Sequence, residues 1–324
     1  MTEFKLINKY INRAKTDSSV VLGIGDDAAV LEVPEGYQMV QTMDTMVAGV
    51  HFDEAFSADA LAHKLLHVNL SDIAAMGAIP KWATVALTMP DHNECWLDSF
   101  AASLQSNCAL LGVNLVGGDT TSGPLTVSMN LTGIVKKGEF LTRSGARAGD
   151  DVYVSGYLGD AALALTPEGV NQPQLINRLR YPEARYLLGE QLYPHASACL
   201  DISDGLLADL GHICDQSDVS ASVTVEALPF SKAYQAFFDQ QQRPLNPDYG
   251  LNGGDDYELC FTAALEKRTD IKSLAMSLNY PVTRVGTIQP SSKSAKVGTP
   301  NVNCVLNGSA YECQRSGWQH FSVE

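Results

Sequence analysis

Six times in this chain of 324 residues an apolar run stops at an acid set beside Gly, Ser or Thr. The strings are Gly25-Asp26-Asp27, Thr42-Met43-Asp44, Leu70-Ser71-Asp72, Gly117-Gly118-Asp119-Thr120-Thr121, Asp201-Ile202-Ser203-Asp204-Gly205 and Gly253-Gly254-Asp255-Asp256. Asp, Gly and Ser make turns and helix caps, so each string predicts the end of a strand or helix, with a short carboxylate beside exposed backbone N–H groups. Punctuation this dense, between apolar runs of both strand and helix length, confines the chain to layers of mixed α and β structure. It also sets a chemical condition. Carboxylates that converge repel one another unless protons or cations neutralise them. Turn formation alone explains any one string, but six together point to hard oxygen ligands for Mg²⁺, which takes one or two carboxylates per ion plus substrate phosphates.

Phe4, Ile7, Ile11 and Ala14 have helical spacing. Apolar runs at 20–22 and 28–31 read as strands around Gly23-Ile24-Gly25-Asp26-Asp27, and a third at 37–43 ends in Asp44. Residues 58–76 and 96–111 read as helices, and 82–89, 114–116 and 125–135 as strands. The Gly- and charge-rich stretch Arg143-Ser144-Gly145-Ala146-Arg147-Ala148-Gly149-Asp150 marks a domain boundary. It predicts one domain over 1–140 and another over 141–324, as the length leads one to expect. The second domain reads as a strand at 151–154, an alanine-rich helix, helices at 182–192 and 206–214, and strands at 221–225, 258–261 and 284–288. Residues 289–300, rich in Ser and Lys, read as an exposed loop. The fold class is α+β, built of two α/β domains.

A formal net charge of -15 argues against a nucleic-acid partner, because phosphate backbones are held by clustered Lys and Arg. No apolar run reaches the roughly 20 residues that span a bilayer, and the first residues lack a signal-peptide profile, so a cytoplasmic protein with no membrane contact is expected. The seven cysteines are scattered without a C-x-x-C pair, which predicts reduced and mostly buried thiols. Gly23-x-Gly25-x-x-Ala28 imitates a dinucleotide fingerprint, but Pro34 and Gly36 interrupt the crossover helix that such a turn must open. There is no P-loop string, and His63 and His67, four apart on a helix, lack the Glu and third ligand of a zinc site. In Asp201-Ile202-Ser203-Asp204-Gly205 the apolar helix that follows starts at Leu206, so the backbone amides of the turn face out of a helix N-terminus. That predicts a phosphate site there.

The acidic strings, in this order, resemble those of thiamine-monophosphate kinase over essentially the whole chain. The likeness rests on Leu22-Gly23-Ile24-Gly25-Asp26-Asp27-Ala28-Ala29, Asp44-Thr45-Met46-Val47-Ala48-Gly49-Val50-His51-Phe52 and Val68-Asn69-Leu70-Ser71-Asp72-Ile73-Ala74-Ala75-Met76-Gly77-Ala78. It continues through Gly117-Gly118-Asp119-Thr120-Thr121, Leu141-Thr142-Arg143-Ser144-Gly145-Ala146, Asp201-Ile202-Ser203-Asp204-Gly205-Leu206 and Gly253-Gly254-Asp255-Asp256-Tyr257-Glu258-Leu259.

The resemblance implies a fold similar to aminoimidazole ribonucleotide synthetase. The N-terminal domain would bind ATP and Mg²⁺ and pair with its copy in a homodimer, and the C-terminal domain would complete the active site. It implies direct in-line transfer of the γ-phosphoryl group of ATP to thiamine monophosphate, with no dedicated catalytic base. By motif, Asp27, Thr42, Asp44, Asp72, Asp119, Asp201 and Asp204 would hold several Mg²⁺ ions. Asp27, Gly118, Asp119, Arg143 and Ser203 would serve ATP, and His51, Asp255 and Trp318 the substrate. Two departures stand out: Asp255 fills a position where the family has Glu, and Met43 could reach a metal only through its main-chain carbonyl. The sibling aminoimidazole ribonucleotide synthetase and a catalytically silent nucleotide-binding regulator are the alternatives. A selenophosphate synthetase would carry a reactive Cys near the N-terminus and the hydrogenase-maturation relative one at its extreme C-terminus, whereas here the first Cys is Cys95 and the chain ends in Glu324.

Overall fold

A computed structural model describes residues 16–53, 55–291 and 301–314. The expected helix through Phe4 and Ala14, the segment 292–300 and Trp318 lie outside the described residues. The chain divides into two compact units, one of residues 1–73 and 78–140, the other of residues 74–77 and 141–324.

The first unit begins with a small hairpin, β1 (Val20–Leu22) against β2 (Val30–Leu31), followed by β3 (Tyr37–Val47), α1 (Ala58–Ala75), β4 (Ile79–Met89), α2 (Glu94–Leu111), β5 (Asn114–Ser122) and β6 (Thr126–Lys136). Its sheet runs β3-β6-β4-β5, with β4 and β5 parallel and the other pairs antiparallel. Met46, Val85, Leu87, Val127, Met129 and Leu131 are buried, as are Leu61, Leu65, Leu66 and Ile73 of α1. Asn93 caps α2 by accepting a bond from the Trp96 N–H, and Gly112 ends the helix in the left-handed region. Among the described residues the other face of the sheet is covered at one end, where Trp82, Val116 and Ile134 meet Val20, Ala29 and Leu31. Beyond that cover Met39 and Met43 are exposed.

The second unit is built on β7 (Asp151–Ser155), β8 (Ala198–Ile202), β9 (Val219–Thr224), β10 (Glu258–Ala263), β11 (Val282–Pro290), β12 (Val302–Leu306) and β13 (Ser309–Tyr311). Their order is β13-β12-β9-β11-β7-β10-β8, all antiparallel except β12 with β9. The helices are α3 (Asp160–Ala164), α4 (Pro173–Arg180), α5 (Tyr186–Leu192), α6 (Leu206–Ser217), α7 (Lys232–Gln240), α8 (Asp248–Asn252) and α9 (Arg268–Leu278). Val152, Val154, Leu200, Ile202 and Cys260 pack with Leu206, Leu210 and Ile213 of α6. Their strand neighbours Tyr153, Cys199, Leu259 and Phe261 pack with Leu188 and Leu192 of α5 and Ile271 and Leu274 of α9. Because both faces are covered, β7, β8 and β10 are buried at every position, and apolar residues occupy both of their faces.

Two differences from the sequence reading share a cause. β5 runs to Ser122 rather than stopping at 116, and β3 continues past Asp44 to Val47. The long ladders of β6 and β4 supply hydrogen-bond partners that carry the chain through Gly117, Gly118 and the acids, overriding local turn preference. Gln289 and Pro290 likewise belong to β11 through pairing with β9, rather than to a loop.

Candidate active site

In the first unit, edge strand β3 and helix α1 bring three of the expected residues together. The Thr42 hydroxyl donates to Asp72 Oδ2 at 2.5 Å, and the Asp44 N–H donates to Asn69 Oδ1 at 3.1 Å. Asn69 is itself fixed by donating to the Leu65 carbonyl at 2.8 Å. Burial first, and then the charge of Asp72, push the Asp44 carboxyl up to about 6. A carboxylate whose ionisation is made costly by burial and by a neighbouring carboxylate fits a divalent cation, which would remove the repulsion. The pair plus phosphate oxygens is the sparse donor set Mg²⁺ takes. Among the described residues no group of three or more His, Cys, Asp or Glu side chains is arranged to hold a metal ion.

Thr42, Met43, Asp44, Asp72, Gly118 and Asp119 are not turn residues, as their strings suggested; they lie inside β3, α1 and β5. Asp44 aligns with Met129, Val85 and Gly118 across the sheet. Three strand spacings, about 14 Å, therefore separate it from the β5 edge that carries Asp119. The convergence of Asp44, Asp72 and Asp119 holds within one chain for the first two only. Gly118 is dictated by packing, since a Cβ there would stand 2.1 Å from the Val85 carbonyl oxygen. Met43 is exposed. Asp27 is exposed between β1 and β2, and its N–H donates to Asp26 Oδ1 at 2.9 Å. His51 accepts from the Val47 N–H through Nδ1 at 3.1 Å. His63 and His67 stack on each other at 4.1 Å, as packing residues do.

In the second unit the two acidic strings are joined. The Asp255 N–H donates to the Ser203 carbonyl at 2.9 Å and the Tyr257 N–H to the Ile202 carbonyl at 2.8 Å. The approach is so close that a Cβ on Gly254 would lie 2.4 Å from the Ser203 oxygen. Asp255 and Tyr257 both have positive φ, 70° and 50°, and strain of this kind persists only where the surroundings fix it. They do so here. Asp256, buried between them, accepts the Gly159 N–H at 2.9 and 3.1 Å, and Glu258 takes Arg178 and both Nε and Nη2 of Arg185. The Tyr257 hydroxyl donates to Asp255 Oδ1 at 2.8 Å, which orients the carboxylate that the resemblance gives to the substrate.

The expected phosphate site before α6 needs correction. The N–H groups of Ser203, Asp204 and Gly205 all donate to Asp209 Oδ2, at 3.0, 3.0 and 3.1 Å. A carboxylate of the helix itself fills the nest, because a side chain four residues into the helix reaches back to the amides before it. Burial, then the charge of Asp204, push the Asp209 carboxyl up to about 7 despite these bonds. Arg143 and Ser203 are not together either. The Thr142 carbonyl accepts from Cys199 at the start of β8 and the Arg143 carbonyl from Ser217 at the end of α6, whereas Ser203 follows the far end of β8. Their main chains stand about 14 Å apart along the strand. Sequence reasoning passed over Asp209, Asp256 and Glu258. Each carried a signal, an acid in a first helical turn or inside an apolar run, where burial demands a partner.

This fold and its paired carboxylates define a class. Residues 25–135 match the family AIR synthase related protein, N-terminal domain. The chain is 41% identical to the thiamine-monophosphate kinase of Haemophilus influenzae, over 99% of this chain and 98% of that one. The crystal structure of thiamine-monophosphate kinase from Stenotrophomonas maltophilia K279a matches with a TM-score of 0.80 at 40% identity, covering 95% of this chain and 96% of that one. The solved structure of AaThiL complexed with AMPPCP and TMP matches with a TM-score of 0.75 at 29% identity, covering 98% and 96%. The chain belongs to the thiamine-monophosphate kinase family.

Proposed function

We infer that this chain phosphorylates thiamine monophosphate to thiamine diphosphate with ATP, by direct in-line transfer assisted by Mg²⁺. The observation that carries the reading is the mutually repelling pair Asp44 and Asp72 on β3 and α1, in a chain of this family. Phosphoryl transfer asks a protein mainly to position two anions and neutralise the charge that develops between them. Bound Mg²⁺ would supply the positive charge that neutralises them. Asp44 and Asp72 would hold it, with Thr42 steadying the Asp72 carboxylate and Asn69 the Asp44 backbone. Asp27, Asp119, Asp201 and Asp204, with the Met43 carbonyl, are the further ligands the motifs suggest. Gly118, Arg143 and Ser203 would serve ATP, and His51, Asp255 and Trp318 the acceptor. No general base is required, because the attacking group is a phosphate oxygen that is already anionic at neutral pH.

The reading includes a homodimer. Among the described residues both edges of the four-stranded sheet, β3 and β5, lack a neighbouring strand, and Met39 and Met43 are exposed. A second copy with its β5 edge beside β3 would bring an Asp119 to the Asp44–Asp72 pair. Among the described residues no helix is long and apolar enough to cross a membrane.

The test is Mg²⁺-dependent ADP release with candidate acceptors. Thiamine monophosphate should drive it and unphosphorylated thiamine should not. Turnover only with formylglycinamidine ribonucleotide, the sibling's substrate, would overturn the assignment, and nucleotide binding with no turnover would favour the regulator.

A further inference from the structure

On the α9 side of the seven-stranded sheet lies a cavity of about 730 Å³ whose walls include Tyr153, Ile271, Met276, Tyr280 and Val282. Its volume is that of small-molecule sites, roughly 300–1,000 Å³. Three cations, Arg268, Lys272 and Arg284, also line it, and no carboxylate does. In a chain carrying 37 acids against 22 Lys and Arg, that is a local inversion of the overall charge.

The cations are not arranged by chance. Beneath them sits Asp151, fully buried, which accepts Arg268 Nε at 2.6 Å, Arg268 Nη2 at 2.8 Å, Arg284 Nη1 at 3.2 Å and the Tyr153 hydroxyl at 3.3 Å. Four donors fill the lone-pair positions of a carboxylate. Asp151 therefore fixes two guanidinium groups in place and neutralises only one of their charges. Lys272 follows Arg268 by one helical turn, on the same face of α9, so the cavity carries a net charge of about +2 beside aromatic and aliphatic walls.

We propose that this cavity is a second small-molecule site, for an organic anion that combines a phosphate or carboxylate group with a flat apolar body. The anionic group meets Lys272 and the outward N–H groups of Arg268 and Arg284, and the body lies against Met276, Tyr280 and Val282. Inorganic phosphate supplies only the first half of that recognition. Within this unit the site is separate from the joined acidic turns. These lie at the Ile202 end of β8 and the Glu258 end of β10, whereas Asp151 pairs with Ala263 at the other end of β10.

Titration calorimetry of the full chain with phenyl phosphate tests the proposal. One molecule should bind per chain, about tenfold tighter than inorganic phosphate because the ring is removed from water. Binding should weaken as salt rises. Lys272→Glu and Met276→Glu, both on the exposed side of α9, should each lower affinity about tenfold or more, with thermal melts showing that the variants fold. Asp255→Ala, in the joined acidic turns, should leave the affinity unchanged. Phenyl phosphate binding no better than phosphate, affinity unmoved by both α9 substitutions, or binding lost on Asp255→Ala would each overturn it.

Discussion

The two units surround their buried acids differently. In the seven-stranded unit the chain supplies donors to them: Asp151 lies under two arginines, Glu258 holds Arg178 and Arg185, Asp256 takes a backbone amide, and Asp209 takes three, although burial and the Asp204 charge still push Asp209 up to about 7. In the four-stranded unit Asp44 and Asp72 face each other instead, and the Asp44 carboxyl rises to about 6 from burial and from its neighbour's charge. A carboxylate that takes several donors from its own chain is part of the framework. A half-buried pair of acids stores an unfavourable charge that an incoming cation relieves.

The largest effect expected from this contrast is at Glu258. Glu258→Ala would leave two guanidinium groups facing each other across a buried space, and breaking such a pair from one side costs about 3–5 kcal/mol. Denaturant unfolding should read that loss. A loss under 1 kcal/mol would mean that the network is not framework.

Asp44→Asn and Asp72→Asn should do the reverse, cutting kcat by about 10²- to 10³-fold while leaving the metal-free melting temperature unchanged or raised, because a repulsion is removed. Near-normal turnover in both variants would erase the distinction between the units.

The strand order sharpens the comparison further. Asp44 and Asp119 occupy opposite edges of one sheet, so a site shared across a dimer predicts complementation. Mixing the inactive Asp44→Asn and Asp119→Asn chains should restore up to about a quarter of wild-type activity: half of the randomly formed dimers are mixed, and each of those has one intact site. No recovery after verified subunit exchange would place every ligand in a single chain.

The smallest effect is a pH response. Burial pulls the Asp151 carboxyl upward, but the bonds and charges of Arg268 and Arg284 outweigh it and hold the group below its ordinary value. A depressed folded-state pKa means stability that is present above the unfolded value, near 4, and lost as pH falls through the lower folded value. Asp151→Asn should lower stability at neutral pH, change little below the folded value, and so flatten that acid limb of a stability-against-pH curve. An unchanged limb would show that the two half-exposed arginines add nothing.

By itself the sequence determined the alternation of layers, the helices over α1 and α2, the buried strands β7 and β10, and the ordered acidic strings that carry the family likeness. These are local features, written in periodicity and residue type, and neighbours in the chain suffice to express them. Tertiary structure alone decided that Asp44, Asp72 and Asp119 lie within elements rather than at their ends, because paired strands supply hydrogen bonds that local preference cannot anticipate. It alone put Asp119 on the far edge from Asp44, spread Arg143 and Ser203 along β8, and filled the amides before α6 with Asp209. Those outcomes depend on which strand lies beside which and on which donor reaches a buried carboxylate first, and a linear pattern does not contain that information.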